Sequence, residues 1–211
     1  MESARASAEI QDTERRYLEG LGATWDDFRG KKVLDIGAQD VAFARAAGKH
    51  GVEVIALDRK SDERIWKSYD MVPREGETFI EADAGELPFD DASFDAVVSH
   101  AGPFTGGERK ELEKRFSEAW RVLRPGGELR FGRTFTSPVE EEKRTDALPE
   151  VPNVELQNRM QARARAFIQD IAQKYHFQIA EFRVHKRNKE GFAYCHYVLK
   201  KPLDTSVEEV E

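Results

Sequence analysis

Lys32-Val33-Leu34-Asp35-Ile36-Gly37 and, one helix length further on, Val52-Glu53-Val54-Ile55-Ala56-Leu57-Asp58 decide the fold. Each is a short apolar run that closes on a carboxylate or a glycine. An Ala-rich segment from Val41 to His50 separates them and is ended by Gly51. Short buried strands alternating with helices predict a parallel sheet covered on both faces. Outward from this core, Thr78-Phe79-Ile80, Phe94 to Ser99 and Glu128 to Phe131 read as further strands. Glu108 to Leu123 carries Leu112, Phe116, Ala119, Trp120 and Leu123 on one helical face, and Pro125-Gly126-Gly127 stops it. Met1 to Gly20, with Ile10, Tyr17 and Leu18 as apolar contacts, and the polar stretch Ser61 to Tyr69 complete the helical prediction.

Beyond Thr134 the pattern changes. Ser137 to Pro152 reads as a surface loop, and Met160, Ala164, Phe167, Ile168, Ile171 and Tyr175 mark a long helix. Phe177 to Lys186 and Phe192 to Lys200 are strands joined by Asn188-Lys189-Glu190-Gly191, too short for a parallel crossover, so they pair as an antiparallel hairpin. The apolar phase switches between Ile179 and Phe182, which predicts a bulge near Ala180.

Composition narrows the classes. The chain has 211 residues, 39% hydrophobic and 35% charged, enough for one packed domain over residues 1–201. Within it, residues 1–24 are expected to form a helical cap and residues 137–152 a lid. Residues 202–211 are expected to be a disordered acidic tail. No apolar run approaches the roughly 18 residues of a membrane helix, and Met1 to Glu9 lacks a secretion signal. Cys195 is the only cysteine, which excludes an internal disulfide and a zinc-ribbon module and favours the cytoplasm. In its strand beside Phe192, Tyr194 and Tyr197 it reads as a buried structural thiol. No carboxylate–histidine set suggests a metal. The net charge of −7 opposes non-specific duplex binding. Residues 153–201 are nevertheless basic, with Arg159, Arg163, Arg165, Arg183, Lys186, Arg187 and Lys189. They read as a solvated helix face and hairpin edge, or as a surface for RNA or a phosphorylated substrate.

The chemistry lies at the carboxyl ends of the strands, where open parallel sheets bind ligands. Gly37 allows close backbone approach beside a helix N-terminus. Asp58 stands where a carboxylate accepts both hydroxyls of a ribose. Asp83, in Ala82-Asp83-Ala84, is placed to accept from an adenine amino group. Together they predict a nucleoside pocket.

These blocks, with Glu81 to Phe89, Phe94 to Ser99 and Glu118 to Gly127, resemble in order and spacing the class I S-adenosylmethionine-dependent methyltransferases over residues 25 to 132. The resemblance implies an α/β fold: a Rossmann-like, seven-stranded, mostly parallel sheet with helices on both faces and a C-terminal antiparallel hairpin. It implies S-adenosylmethionine as cofactor and a cofactor site of Asp35, Gly37, Ala38, Asp58, Arg59, Asp83, Ala84 and Ser99. Asp35 and Gly37 would lie near the methionine portion, Asp58 at the ribose, and Asp83 with Ala84 at the adenine. A dinucleotide site fits worse, since Gln39 and Ala42 replace its second and third glycines.

The family's alternating glycines reduce here to Gly37-Ala38-Gln39-Asp40-Val41. Gln39 and Val41 bring Cβ atoms to the cofactor side, and a β-branched Val41 resists positive φ. Either the loop shifts and binding survives, or the chain is a methyltransferase-like scaffold with weakened cofactor binding.

Ser99-His100-Ala101-Gly102-Pro103-Phe104 follows the fourth strand, on the methyl-facing edge in this family. His100 is the candidate catalytic base. The acceptor is expected to be a small molecule entering over strands four and five. Tyr17, Trp25, Phe28, Phe104 and Phe135 are candidates for its walls, or for core packing.

Overall fold

The computed structural model describes residues 14–39, 41–59, 78–104, 107–134, 154–185 and 194–203. The helix expected over 61–69, the lid at 137–152, Phe135, the turn at 188–191, and the tail beyond 203 lie outside them. The described strands are β1 (Lys32–Ile36), β2 (Glu53–Asp58), β3 (Thr78–Glu81), β4 (Phe94–His100), β5 (Leu123–Thr134), β6 (Gln178–Val184) and β7 (Cys195–Lys200). They form one sheet in the order β3-β2-β1-β4-β5-β7-β6. The first five run parallel, and β7 inserts antiparallel between β5 and β6. A register shift between Ile179 and Glu181 is the predicted bulge.

Successive strand residues point to opposite faces, so β1 supplies two cores at once. Leu34 and Ile36 face helices α3 (Arg109–Val122) and α4 (Val154–Lys174), through Leu112, Phe116, Phe167 and Ile171. Val33 faces helix α1 (residues 14–21) and helix α2 (Ala42–Lys49), through Tyr17, Leu21, Phe43 and Ala47. Helices therefore cover both faces. The aromatic residues follow the packing reading: Phe28 is fully buried edge-on to Phe43, Trp25 stacks on Phe43, and Phe104 is fully buried against Phe116.

Two boundaries differ from expectation. Helix α2 begins at Ala42 because Val41 is its N-cap residue. Strand β5 begins at Leu123, where Phe94 pairs with Leu123, and the ladder skips to Ala96 opposite Glu128 across the Pro125-Gly126-Gly127 irregularity. The end of α1 docks on β5 at Gly132, where any Cβ would run into the carbonyl oxygen of Gly20.

Candidate cofactor site

Strand order reverses between β1 and β4, the switch point at which such sheets open. Their ladder ends at Asp35 opposite Val98. One residue further, the buried Ser99 hydroxyl donates to the Ile36 carbonyl at 2.8 Å and fastens the two strand ends. Above this point the chain after β1 folds back on β2, with the N–H groups of Gly37 and Ala38 donating to Leu57 O at 2.8 and 3.1 Å.

That fold-back requires φ +79° at Gly37, where an added Cβ would lie 2.6 Å from Pro103 Cδ. It also carries Gln39 over the end of β2. Asp58 Oδ2 accepts the Gln39 N–H at 2.8 Å, and Oδ1 accepts the Arg59 N–H at 2.7 Å. Both oxygens are thereby fixed in direction while each keeps acceptor capacity. After β3, the Asp83 carboxylate accepts the Gly85 N–H at 2.7 Å, and the Glu86 N–H donates to the Asp83 carbonyl at 3.0 Å. The resulting tight turn presents Asp83 and buries Ala84. Arg59 Nη1 stands 3.8 Å from Asp83 Oδ2.

These elements enclose a cleft of about 230 Å³. Of the sequence-predicted residues, Gly37, Asp58, Arg59, Asp83 and Ala84 line it. Asp35, Ala38 and Ser99 are buried in the elements that shape it and are not among the lining residues. His100 ends β4 with its ring stacked on Tyr17 of α1, centroids 4.2 Å apart, and packs against Gly20 rather than lining the cleft.

Val41 corrects the sequence reading. It adopts φ +49°, the left-handed conformation a glycine would take, and Gln39 adopts φ +43°. Such geometry costs about 1–2 kcal/mol per non-glycine residue. For Val41 the cost is offset by complete burial against Ala38 and Ala56, which turns its side chain away from the cleft. The loop thus holds left-handed backbone at two of the pattern's positions without glycine there. Neither side chain plugs the hollow, and Gln39 stands in its wall.

Ala101, Gly102 and Pro103, from the segment expected on the methyl-facing edge, also line the cleft, and so does Arg115, which sequence reasoning missed. Arg115 is only 12% exposed and donates to Pro103 O at 2.9 Å and to Glu111 at 3.1 Å. A signal existed. Arg115 falls three residues after Leu112 and four before Ala119, at the border of the apolar stripe of α3, where a charge is placed to reach over the end of the sheet.

The residues fit an adenosyl group: a glycine whose Cβ would fill the cradle, a directed carboxylate at the end of β2, and a second acid after β3. Such a cleft at such a switch point defines a nucleoside-binding member of the Rossmann-like class. Residues 34–131 match the family profile described as a methyltransferase domain. A demethylmenaquinone methyltransferase from Clavibacter sepedonicus is 33% identical over 112 residues, 52% of this chain and 44% of that protein. The chain thus spans about half the length of the curated relatives it matches. Among solved structures, an S-adenosylmethionine-dependent methyltransferase from Methanosarcina mazei superposes with TM-score 0.59 at 19% identity, covering 85% of this chain and 97% of its own. The Burkholderia thailandensis 1,6-didemethyltoxoflavin-N1-methyltransferase, solved with its acceptor and S-adenosylhomocysteine, gives 0.56 at 16% identity, covering 95% and 90%. Over residues 34–131 the chain therefore resembles the class I S-adenosylmethionine-dependent methyltransferases, and it shares their fold.

Proposed function

We propose that this chain transfers a methyl group from S-adenosylmethionine to a small-molecule acceptor, an aromatic ring of the reduced-quinone type. The observation that carries the donor half is the Asp58 carboxylate, oriented by two main-chain N–H groups at the wall of the cleft. The relative named for demethylmenaquinone supports the acceptor half. When bound, the donor supplies an electrophilic methyl carbon on a sulfonium. The chain's own part is to hold and align: Asp58 the ribose hydroxyls, Asp83 and Ala84 the adenine edge, Gly37 the amino-acid chain.

His100 follows Ser99 at the end of β4 and precedes Ala101–Pro103 of the cleft wall. An imidazole there would accept the proton a methylated ring carbon gives up; its stack on Tyr17 and its packing against Gly20 mean that Tyr17 and the end of α1 must shift for it to reach an acceptor. Among the described residues no group of side chains is arranged to hold a metal, and no helix is long and apolar enough to cross a membrane.

Calorimetry with S-adenosylmethionine tests the donor half: the unaltered chain binds, and Asp58→Ala weakens binding by about 2–3 kcal/mol, the range of charge-assisted hydrogen bonds. Equal affinity in that variant removes Asp58 from the site. Transfer of labelled methyl to a demethylmenaquinol with a shortened tail tests the acceptor half. Donor binding without transfer to any quinol sinks the acceptor and leaves the donor standing.

A further inference from the structure

The two left-handed residues of the loop differ in what offsets their strain. Val41 (φ +49°) is fully buried against Ala38 and Ala56. Gln39 (φ +43°) is exposed and lines the cleft, so core packing offsets nothing there. Its N–H donates to Asp58 Oδ2, 2.8 Å away, and the residue stands in the cleft wall. A glycine would hold this backbone with less strain. Only a side chain adds polar groups to the wall.

We propose that Gln39 is itself a donor-binding residue, its carboxamide contacting the ribose of the adenosyl group beside Asp58. A carboxamide carries two N–H donors and an acceptor oxygen. It therefore complements hydroxyls, which donate and accept, after Asp58 has taken its share as acceptor only. Being neutral, it adds no charge to a wall that already holds Asp58, Asp83, Arg59 and Arg115. The glycine lost from the loop is in this way exchanged for a contact.

The inference rests on the cleft taking S-adenosylmethionine, and the test separates the two. The dissociation constants of S-adenosylhomocysteine and of methylthioadenosine, which keeps the nucleoside and lacks the amino-acid end, are measured for the unaltered chain, Gln39→Ala and Gln39→Gly. Alanine keeps the Cβ and the backbone demand and removes only the carboxamide. Both ligands should bind Gln39→Ala five- to thirty-fold more weakly. Gln39→Gly, which suits the left-handed backbone and guards against a folding defect, should not restore the loss, although its ligand-free melting temperature is no lower. Affinities within twofold in Gln39→Ala, or tighter binding in Gln39→Gly, overturn the proposal. A loss confined to S-adenosylhomocysteine overturns the ribose assignment. No binding of either ligand by the unaltered chain overturns the parent reading as well.

Discussion

Asp58 has two partners to satisfy: it accepts the N–H of the left-handed Gln39 through one oxygen and that of Arg59 through the other, and it lines the cleft. The loop and the proposed ribose site are therefore one unit, and damage to the loop should register as lost affinity. Gly37 is the place to see this. Its φ of +79° disfavours any side chain, and a Cβ would stand 2.6 Å from Pro103 Cδ and 3.0 Å from Gly102 Cα. Gly37→Ala is expected to cost about 1–3 kcal/mol of stability and at least tenfold in donor affinity, read by urea denaturation and calorimetry. At this scale the sequence was informative about the residues that follow strand ends. Gly37, Asp58, Arg59, Asp83 and Ala84 all reached the cleft because a strand end fixes a residue's place to within a few ångström. It misled at Val41, where steric preference argued against positive φ and complete burial overrode it.

Helix α3 shows how an element holds the site's frame. Arg121 spreads its guanidinium over the carbonyls of Leu87 and Phe89 at 2.9 and 2.7 Å. Glu118 accepts from Arg121 and from the Leu87 N–H at 2.7 Å. The hydrogen bond from Arg121 and the Leu87 N–H hold the Glu118 carboxyl below its usual range against the opposing effect of burial. This clamp ties the segment after Asp83 and Ala84 to the helix. Arg121→Ala should cost about 2–3 kcal/mol by leaving two carbonyls unmatched. Arg121→Lys should recover only part of it, since an ammonium lacks the planar fork; urea midpoints distinguish the three proteins. The elements themselves were legible because parallel strands buried on both faces are nearly unbroken apolar runs. The start of β5 was not, because Leu123 carries the helical period up to the very residue where the strand ladder begins.

At the scale of the whole molecule, acid sensitivity has two layers. His185 Nε2 lies 2.7 Å from His196 Nδ1, and His196 is fully buried against Gly22, whose carbonyl accepts from Arg130. Burial holds both imidazoles below the ordinary histidine value, with Arg183 adding to it. Glu181, 3.2 Å from His196 Nε2, works the other way without cancelling the effect. The unfolded chain then binds protons first as pH falls below about 6.5, so stability declines from there down to the depressed folded values. The slope is at most about 1.4 kcal/mol per pH unit for each group titrating. Glu118 and Glu113, both held low by paired cations, add a second decline below about 4.5. Melting temperatures from pH 8 to 3 should show both steps, and the His185→Gln/His196→Gln double variant should lose only the upper one. Nothing in the sequence announced this pair, since His185 and His196 meet only when β6 and β7 align Arg183 with His196 and Val184 with Cys195.

The insertion of β7 between β5 and β6 sets an order of events during translation. The ribosome delivers β6 before the strand that must separate it from β5. A nascent chain emerged only as far as Val184 holds two strands whose common neighbour does not yet exist, and the outer edge of β5 stays bare. The sheet can be completed only after Cys195–Lys200 clears the exit tunnel, which makes the interval between the emergence of β6 and that of β7 the one in which this sheet is most exposed to mispairing.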